Sequence, residues 1–288
     1  MAASIHTFRK MNGLGNDFAV FDVRGSGFAL SGPQARQIAD RRNGIGCDQI
    51  IEIRPSARAD AFMRILNANG SEVDACGNAT RCVAALLARE QSRERVVIET
   101  GAGLLGCVTN PDGTVTVDMG EPRLAWDEIP LARSFADTAS LDVSFDGGRG
   151  GPLRDPGAVN VGNPHAIFFV DDADAYDLAE IGPRIEHDPL FPEAANVSLG
   201  QILSRDAIRL RVWERGVGAT KACGTAACAA AVAAIRKGLT NRKMTVSLPG
   251  GDLDIEWRAD DGHILMTGPW TLDYEGVYEL AAAESATA

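Results

Sequence analysis

Two short stretches of identical sequence contain the residues that are most suited to catalysis. The tripeptide Ala-Cys-Gly occurs twice, centred on Cys76 and on Cys223, which lie 223 − 76 = 147 residues apart. Asn78 and Thr225, residue types that favour the N-cap of a helix, each follow the cysteine by two positions and precede a helical apolar pattern. Helix N-termini stabilise anions, so a cysteine there gains thiolate character. We therefore expect two activated cysteines in equivalent places.

Matched thiols suit proton transfer at a carbon atom. If both helix heads face one cleft, Gly77 and Gly224 allow a substrate carboxylate to approach the backbone closely. One sulfur then removes the α-proton as a thiolate, and the other returns a proton to the opposite face as a thiol. The pattern predicts two-base racemisation or epimerisation. No pyridoxal phosphate is expected, because no lysine lies in an evident cofactor motif.

The remaining cysteines indicate packing rather than chemistry. Cys82 and Cys228 fall on the apolar faces of the two helices, and Cys47 and Cys107 have no special setting. No cysteine pair has Cys-x-x-Cys spacing and no histidine pair has zinc-site spacing, so we expect no metal site. The glycines of Gly101–Gly106 match a dinucleotide motif, but a hairpin pattern follows them instead of a helix. We therefore predict no cofactor.

The offset of 147 recurs along the chain. Gly15–Phe21 (GNDFAVF) aligns with Gly162–Phe168 (GNPHAIF), and Phe62–Gly77 aligns without a gap on Arg209–Gly224. Three further pairs of equivalent polar positions are Asn16 with Asn163, Gln49 with Asn196, and Asn67 with Glu214. Beyond the cysteines the alignment shifts by about one residue. Two copies are too few for a solenoid, so the repeat predicts two similar lobes.

Each lobe is predicted to be strand-rich with one principal helix. Short apolar or alternating segments such as AVFDV, FMRIL and IRLRVW indicate strands, and the period changes to that of a helix after each cysteine. The predicted fold is α+β, with two pseudo-symmetric lobes, each a mixed or antiparallel sheet wrapped round a central helix. The first lobe is assigned to 1–122, joined by 270–288, and the second to 123–269. The loop-rich segment 123–158 marks the boundary, and the cleft between the lobes holds the active site.

Composition excludes some classes of function. The chain has 288 residues and a formal net charge of −11, which argues against duplex nucleic acid as a partner. The N-terminal sequence has no apolar signal-peptide core, and no stretch is long and apolar enough to span a bilayer. We expect a cytoplasmic protein with reduced thiols and no membrane partner.

At these residues the sequence resembles the diaminopimelate epimerase family, whose members are pyridoxal-independent two-cysteine epimerases. The resemblance rests on MNGLGNDF, RNGIGCDQ, NANGSEVDACGNATRC, VGNPHAIF, WERGVGATKACGTAACA and the LPGG and MTGP segments, spread over roughly residues 8–270. It implies interconversion of LL- and meso-2,6-diaminopimelate for lysine and peptidoglycan precursor synthesis. It also implies lobes that close over the substrate, and a homodimer.

The resemblance assigns roles to individual positions. It implies that Cys76 and Cys223 are the catalytic acid and base, assisted by His165 and Glu214. The positions it implies for substrate binding are Asn16, Gln49, Asn67, Gly77, Asn78, Asn163, Asn196, Glu214, Arg215, Gly224 and Thr225. Arg215 suits the distal carboxylate because a guanidinium binds it bidentately. The chain departs from the common family pattern at Ala219, where many members have glutamate.

Two alternatives remain open from the residues themselves. One is another two-cysteine isomerase, such as a proline or hydroxyproline epimerase, whose substrate has one carboxylate and no need of Arg215. The other belongs to a different class, a non-catalytic module that binds amino acids or senses redox state through its cysteines.

Overall fold

The structure is a computed structural model, and it describes residues 4–26 and 28–280. Within them the chain forms the following helices and strands. In chain order they are β1 (Ser4–Gly13), β2 (Asn16–Asp22), α1 (Gly32–Ala39), β3 (Gln49–Arg54), β4 (Ala61–Asn67), β5 (Glu72–Val73), α2 (Gly77–Gln91), β6 (Arg95–Thr100), β7 (Gly103–Thr109), β8 (Val115–Asp118), β9 (Ser144–Phe145), β10 (Leu153–Arg154), β11 (Gly157–Asn160), β12 (Pro164–Phe169), α3 (Leu178–Glu186), β13 (Asn196–Ser204), β14 (Ala207–Glu214), β15 (Gly218–Thr220), α4 (Gly224–Arg236), β16 (Lys243–Leu248), β17 (Gly251–Trp257), β18 (Ile264–Gly268) and β19 (Thr271–Leu280).

The described residues divide into two compact units. Unit 1 comprises those up to Val115 and those from Pro269 onward, and unit 2 comprises Thr116–Gly268. The sequence predicted these boundaries after residues 122 and 269. The first boundary lies earlier because Thr116 already bonds, hydroxyl to hydroxyl, with Thr267 of β18 at 2.7 Å. Parts of the predicted first lobe, residues 1–3 and 281–288, lie outside the described residues.

The loop-rich segment 123–158 belongs to unit 2. Arg123 forms an antiparallel bridge with Asn160, and Ile129 and Leu131 are buried in the apolar core beneath α3. These contacts explain why the segment folds with the second unit instead of separating the two.

Both units have the same strand topology. In unit 1, β2 and β3 are parallel, β3 and β4 antiparallel, β4 and β6 parallel, and β6 and β7 antiparallel. In unit 2 the same relations join β12, β13, β14, β16 and β17. The order of parallel and antiparallel neighbours is therefore repeated.

The register repeats as well. Phe18 lies opposite Gln49, and His165 lies opposite Asn196, so both partners are displaced by 147 residues. After the central helices the displacement is 148, since the pair Arg95 and Val108 corresponds to Lys243 and Glu256. The register confirms the internal duplication at the level of individual residues.

A helix lies against the sheet of each unit. Helix α4 contacts strands β11 to β14 and β16 to β18, so the sheet of unit 2 wraps round it. Every residue from Ala226 to Ala234 is buried, and all of them are alanines except Cys228 and Val232. Small side chains allow close approach: a Cβ added at Gly157 of β11 would lie 3.0 Å from the Cβ of Ala233. Helix α2 packs on β1, β6 and β7 through Cys82, Val83 and Leu87.

The cysteines occupy settings of two kinds. Cys47, Cys82, Cys107 and Cys228 are buried, as their packing role predicts. All six cysteines lie in the described part of the chain, and no disulfide joins them there. No helix among the described residues has the length and apolar character needed to cross a membrane.

Candidate active site

Cys76 and Cys223 are themselves the N-cap residues of α2 and α4. Both have extended backbone, with φ −149° and ψ 106° at Cys76 and φ −133° and ψ 111° at Cys223. The prediction that Asn78 and Thr225 are the N-caps is wrong, because each helix already begins at the glycine that follows the cysteine. Each sulfur therefore lies directly at the end of a helix whose first-turn amides have no intrahelical acceptor.

In unit 1 the half-buried Cys76 is met by two asparagines. Its Sγ donates to Asn16 Oδ1 over 3.7 Å, and Asn78 Nδ2 donates to the same oxygen over 3.4 Å. Strand β2 begins at Asn16 and α2 begins beside Asn78, so two elements hold one polar cluster around the sulfur. The sequence analysis named all three residues, and the structure brings them together.

A second polar pair in unit 1 spans neighbouring strands. Gln49 of β3 and Asn67 of β4 are opposite in register, and Gln49 Nε2 donates to Asn67 Oδ1 over 3.0 Å. Asn67 Nδ2 in turn donates to Ser71 Oγ over 3.1 Å. Gln49 Oε1 is buried with no hydrogen-bond partner. A buried acceptor of that kind is costly unless a ligand satisfies it.

An ion cluster behind Asn16 was not anticipated from the sequence. Asp17 is bound by Lys10 and by Arg41, and Arg41 also binds Asp48. Burial would raise the pKa of Asp17, but hydrogen bonds from Arg41 and Lys10 outweigh it and hold that pKa well below its ordinary range. Asp17 and Asp48 lie in the quoted segments MNGLGNDF and RNGIGCDQ, but nothing local in the sequence pairs them with Lys10 and Arg41.

In unit 2 Cys223 is more deeply buried than Cys76. Its Sγ lies 3.4 Å from Thr225 Oγ1 and hydrogen-bonds Glu214. Burial raises the pKa of Cys223 well above that of an ordinary thiol, and the charge of Glu214 raises it further, against weaker opposing hydrogen bonds from Thr225 and the Ala226 amide. Burial of Cys223 thus opposes the thiolate character expected from the helix N-terminus, because desolvation exceeds the effect of the helix amides.

Glu214 is placed to exchange a proton with Cys223. Burial raises the pKa of Glu214, and hydrogen bonds from Thr220 Oγ1 and from Cys223 partly offset that rise. A carboxylate with a raised pKa beside a thiol is a suitable local base.

His165 is wholly buried on β12. Its Nε2 lies 2.7 Å from Asn163 Oδ1, which makes Nε2 the protonated ring nitrogen and leaves the lone pair on Nδ1. Nδ1 is buried with no hydrogen-bond partner. Burial, with a smaller contribution from the charge of Arg215, lowers the pKa of His165 to about 3, so the imidazole is neutral.

Asn196 and Arg215 are linked through the backbone. Asn196 Nδ2 donates to the Pro164 carbonyl over 2.9 Å, and the Arg215 amide donates to Asn196 Oδ1 over 3.0 Å. The exposed Arg215 guanidinium donates to the Glu193 carbonyl over 2.9 Å. Asn163 and Arg215 both line a polar pocket in unit 2 of about 370 Å³. Asn196 therefore positions the turn that carries Arg215.

Glu186 is a further residue of the site that was not predicted from the sequence. This buried carboxylate at the end of α3 accepts from Trp213 Nε1 and from the Gly216 amide, both over 2.7 Å. The two bonds lie on either side of Glu214 and Arg215 in the chain. They fix the end of β14, from which both side chains extend.

The candidate residues thus form four local groups, each within one unit. These are Asn16 with Cys76 and Asn78, Gln49 with Asn67, Cys223 with Glu214 and Thr225, and Asn163 with His165, Asn196 and Arg215. Gly77 and Gly224 are the first helical residues beside the two sulfurs.

Solved structures with this fold include an epimerase and a phenazine biosynthesis protein. A hydroxyproline epimerase from Agrobacterium vitis aligns with a TM-score of 0.68 at 15% identity, over 97% of this chain and 94% of its own. A phenazine biosynthesis protein of the PhzF family from Bacillus anthracis aligns with a TM-score of 0.67 at 17% identity, over 97% and 100%. At such low sequence identities the comparison shows the fold alone. The fold defines the class as a duplicated α+β protein, and in this chain a cysteine is the N-cap of one helix in each repeat.

Sequence comparison is more specific. The family described as diaminopimelate epimerase matches residues 8–125 and 157–272. The diaminopimelate epimerase of Methylocella silvestris is 53% identical over 268 residues, covering 92% of each chain. That of Acidiphilium cryptum is 53% identical over 281 residues, covering 98% of each. The chain belongs to the diaminopimelate epimerase family and is an isomerase.

Proposed function

We propose that this protein interconverts LL- and meso-2,6-diaminopimelate without a cofactor, as a step toward lysine and peptidoglycan precursors. The observation that carries the proposal is the equivalence of Cys76 and Cys223. Each is the N-cap of the helix at the same place in its repeat, 147 residues apart. Packing alone gives no reason for that coincidence.

The proposed reaction uses both sulfurs in one cleft. One cysteine, as thiolate, takes the α-proton, and the electron pair of the broken C–H bond delocalises into the adjacent carboxylate. The other cysteine, as thiol, then donates its proton to the opposite face of the α-carbon. Glu214, within hydrogen-bonding reach of Cys223, serves as its proton acceptor when that thiol must ionise.

We assign separate groups of the protein to the two ends of the substrate. Amides at the helix heads beside Gly77 and Gly224 bind the reacting carboxylate. Gln49 Oε1, buried and unpartnered, is suited to accept from an ammonium group. Arg215, which lines the unit 2 pocket, binds the distal carboxylate.

Isotope exchange tests the proposal directly. Purified protein without pyridoxal phosphate, incubated with LL-diaminopimelate in deuterated water, should place deuterium at the α-carbon as the meso isomer forms. Cys76→Ser and Cys223→Ser should each lower turnover by about a hundredfold or more, because a hydroxyl is a far weaker acid than a thiol at neutral pH. If the unaltered protein exchanged no deuterium, the proposed activity would be refuted. If a serine variant kept its full turnover, that cysteine would take no part in the reaction.

Substrate choice separates this activity from that of the distant structural neighbours. Arg215→Met should raise KM for diaminopimelate while leaving proline unreactive in both proteins. A panel including proline and trans-4-hydroxyproline measures this, and efficient turnover of either would favour the alternative epimerase function.

The assembly and location of the protein are further proposals. We infer a homodimer in the cytoplasm, on the strength of family membership and of the pathway it implies. Light scattering coupled to size-exclusion chromatography measures the oligomer, and a mass of one chain would contradict the dimer.

A further inference from the structure

Asn16 has one orientation that its neighbours permit. Its Nδ2 lies 3.0 Å from Asp48 Oδ2, and its Oδ1 faces the Cys76 thiol. An ionised carboxylate accepts hydrogen bonds and donates none, so the NH₂ end of the amide must point to Asp48. The carbonyl end is thereby directed at the sulfur.

Asp48 is itself held in place on three sides. Its Oδ1 receives Arg41 Nη2 over 2.7 Å, and its Oδ2 also receives the Asp17 amide over 3.1 Å. In return the Asp48 amide donates to Asp17 Oδ1 over 3.0 Å. This reciprocal pairing holds the Asp48 carboxylate in a fixed position, from which it orients the Asn16 amide.

We propose that Asp48 is a positioning residue, which together with the longer hydrogen bond from Asn78 Nδ2 locks the Asn16 amide so that its carbonyl accepts the Cys76 proton and holds Cys76 as a thiol in the free protein. The proposal deepens the proposed function, on which it rests. A carbonyl oxygen at the sulfur favours the S–H form, whereas a flipped amide would present its NH₂ group and favour the thiolate.

The second repeat lacks this device. Asp48 corresponds to Ala195 (48 + 147 = 195), and Asn163, the counterpart of Asn16, contacts His165 instead. His165 in turn corresponds to Phe18. The two repeats thus surround equivalent asparagines with different groups.

Other ionisable groups surround Cys76 and this network and belong in any account of its titration. Within the described part of unit 1 they include Lys10, Asp17, Arg41, Cys47, Arg81, Cys82 and Asp273. The test must therefore separate the hydrogen bond of Asp48 from its charge.

The experiment follows alkylation of Cys76 by iodoacetamide between pH 6 and pH 10, read by mass spectrometry of the Cys76 peptide in the full-length protein. Asp48→Ala should lower the midpoint of alkylation by about half to one pH unit, the equivalent of one neutral hydrogen bond. Asp48→Asn, which keeps a carbonyl acceptor for Asn16, should stay close to the unaltered protein. Equal shifts for Ala and Asn would show that only the charge acts, and would overturn the proposal.

Two controls complete the design. Asp60→Ala removes a carboxylate that likewise bridges an arginine and a backbone amide, Arg93 and Val97, and should leave the midpoint unchanged. In an Asn16→Ala background, Asp48→Ala should add no further shift, since Asp48 acts through Asn16; an undiminished shift would contradict the proposal. If Asp48→Ala fails to fold by circular dichroism, Asp48→Ser serves with the same expected shift.

The readout needs no substrate. A protein that exchanges no deuterium into diaminopimelate would refute the proposed function, while the alkylation midpoints would still decide the role of Asp48.

Discussion

At the scale of single residues, burial decides the protonation of the candidate site. Cys223 and His165 are both removed from water, and in each case desolvation is the largest cause of the pKa shift. The thiol stays protonated and the imidazole stays neutral, since burial disfavours a charged form of either sign. The proposed proton transfer at Cys223 therefore needs a neighbouring base, and Glu214 is a carboxylate beside it.

His165 should make stability sensitive to acid. Its pKa is about 3 when folded and near 6.5 in an unfolded chain, so below pH 6.5 the unfolded chain binds a proton that the native state does not. Stability should fall as the pH drops from 6.5 toward 3, by about 2 kcal/mol at pH 5 relative to pH 7. His165→Phe, which installs the residue of the other repeat, should lose that part of the pH dependence. Urea unfolding followed by tryptophan fluorescence at both pH values measures it, and identical pH dependence in the two proteins would contradict the assignment.

At the scale of elements, the buried alanine helix α4 is closely packed against the sheet of unit 2. Its alanines are buried on every side, and β11 approaches it at Gly157. Such a helix derives its stability from close contact with the surrounding sheet, since alanine side chains bury little area of their own.

Enlarging one of those alanines should be costly. Ala230→Leu adds three carbon atoms to a fully buried position, and overpacking of this kind costs about 1–3 kcal/mol. Ala179→Leu, at an exposed position of α3, is the matched control and should change stability by less than about 0.5 kcal/mol. Thermal and urea unfolding compare the stabilities of the two variants. Equal losses of stability would show that the packing around α4 leaves space for a larger side chain.

At the scale of the whole molecule, the C-terminal strand completes the first unit. Strand β19 pairs with β1 from Asn12 and Thr271 to Ser4 and Leu280, with one irregularity after Lys10. The chain therefore leaves unit 1 after Val115, forms unit 2, and returns at Pro269.

Removing β19 should weaken unit 1 selectively. A chain ending at Trp270 leaves one edge of β1 without its partner, so amides of β1 and β2 should exchange with solvent faster by about tenfold or more. Amides of β12 to β14 in unit 2 should keep their rates. A chain ending at Leu280, which retains every described residue, is the control. Hydrogen–deuterium exchange with mass spectrometry reads both units, and uniform loosening would mean that the units do not fold separately.

Much of the fold could be predicted because the internal repeat is detectable in the sequence. Equal spacing of Cys76 and Cys223, and of Asn16 and Asn163, predicted two similar lobes, and the strand registers reproduce that spacing. The boundary was placed too late, since the pairing of Thr116 with Thr267 joins positions about 150 residues apart and leaves no local pattern.

The site was predictable in its residue types and less so in its arrangement. Cys76 and Cys223 could be predicted because equivalent cysteines occur in both repeats. Asp48 has no acidic counterpart in the second repeat, although it lies within RNGIGCDQ, and Glu186 lies in no motif. Their roles arise from which atoms they meet, Asn16 in one case and the Gly216 amide in the other.

The sequence by itself determined the duplication, the paired cysteines at helix heads and the family, since each depends on residue identity and spacing along the chain. Only the tertiary structure decided the protonation of Cys223 and the orientation of Asn16. Burial and hydrogen-bond partners set both, and these come from segments distant in sequence whose proximity exists only once the sheets have formed.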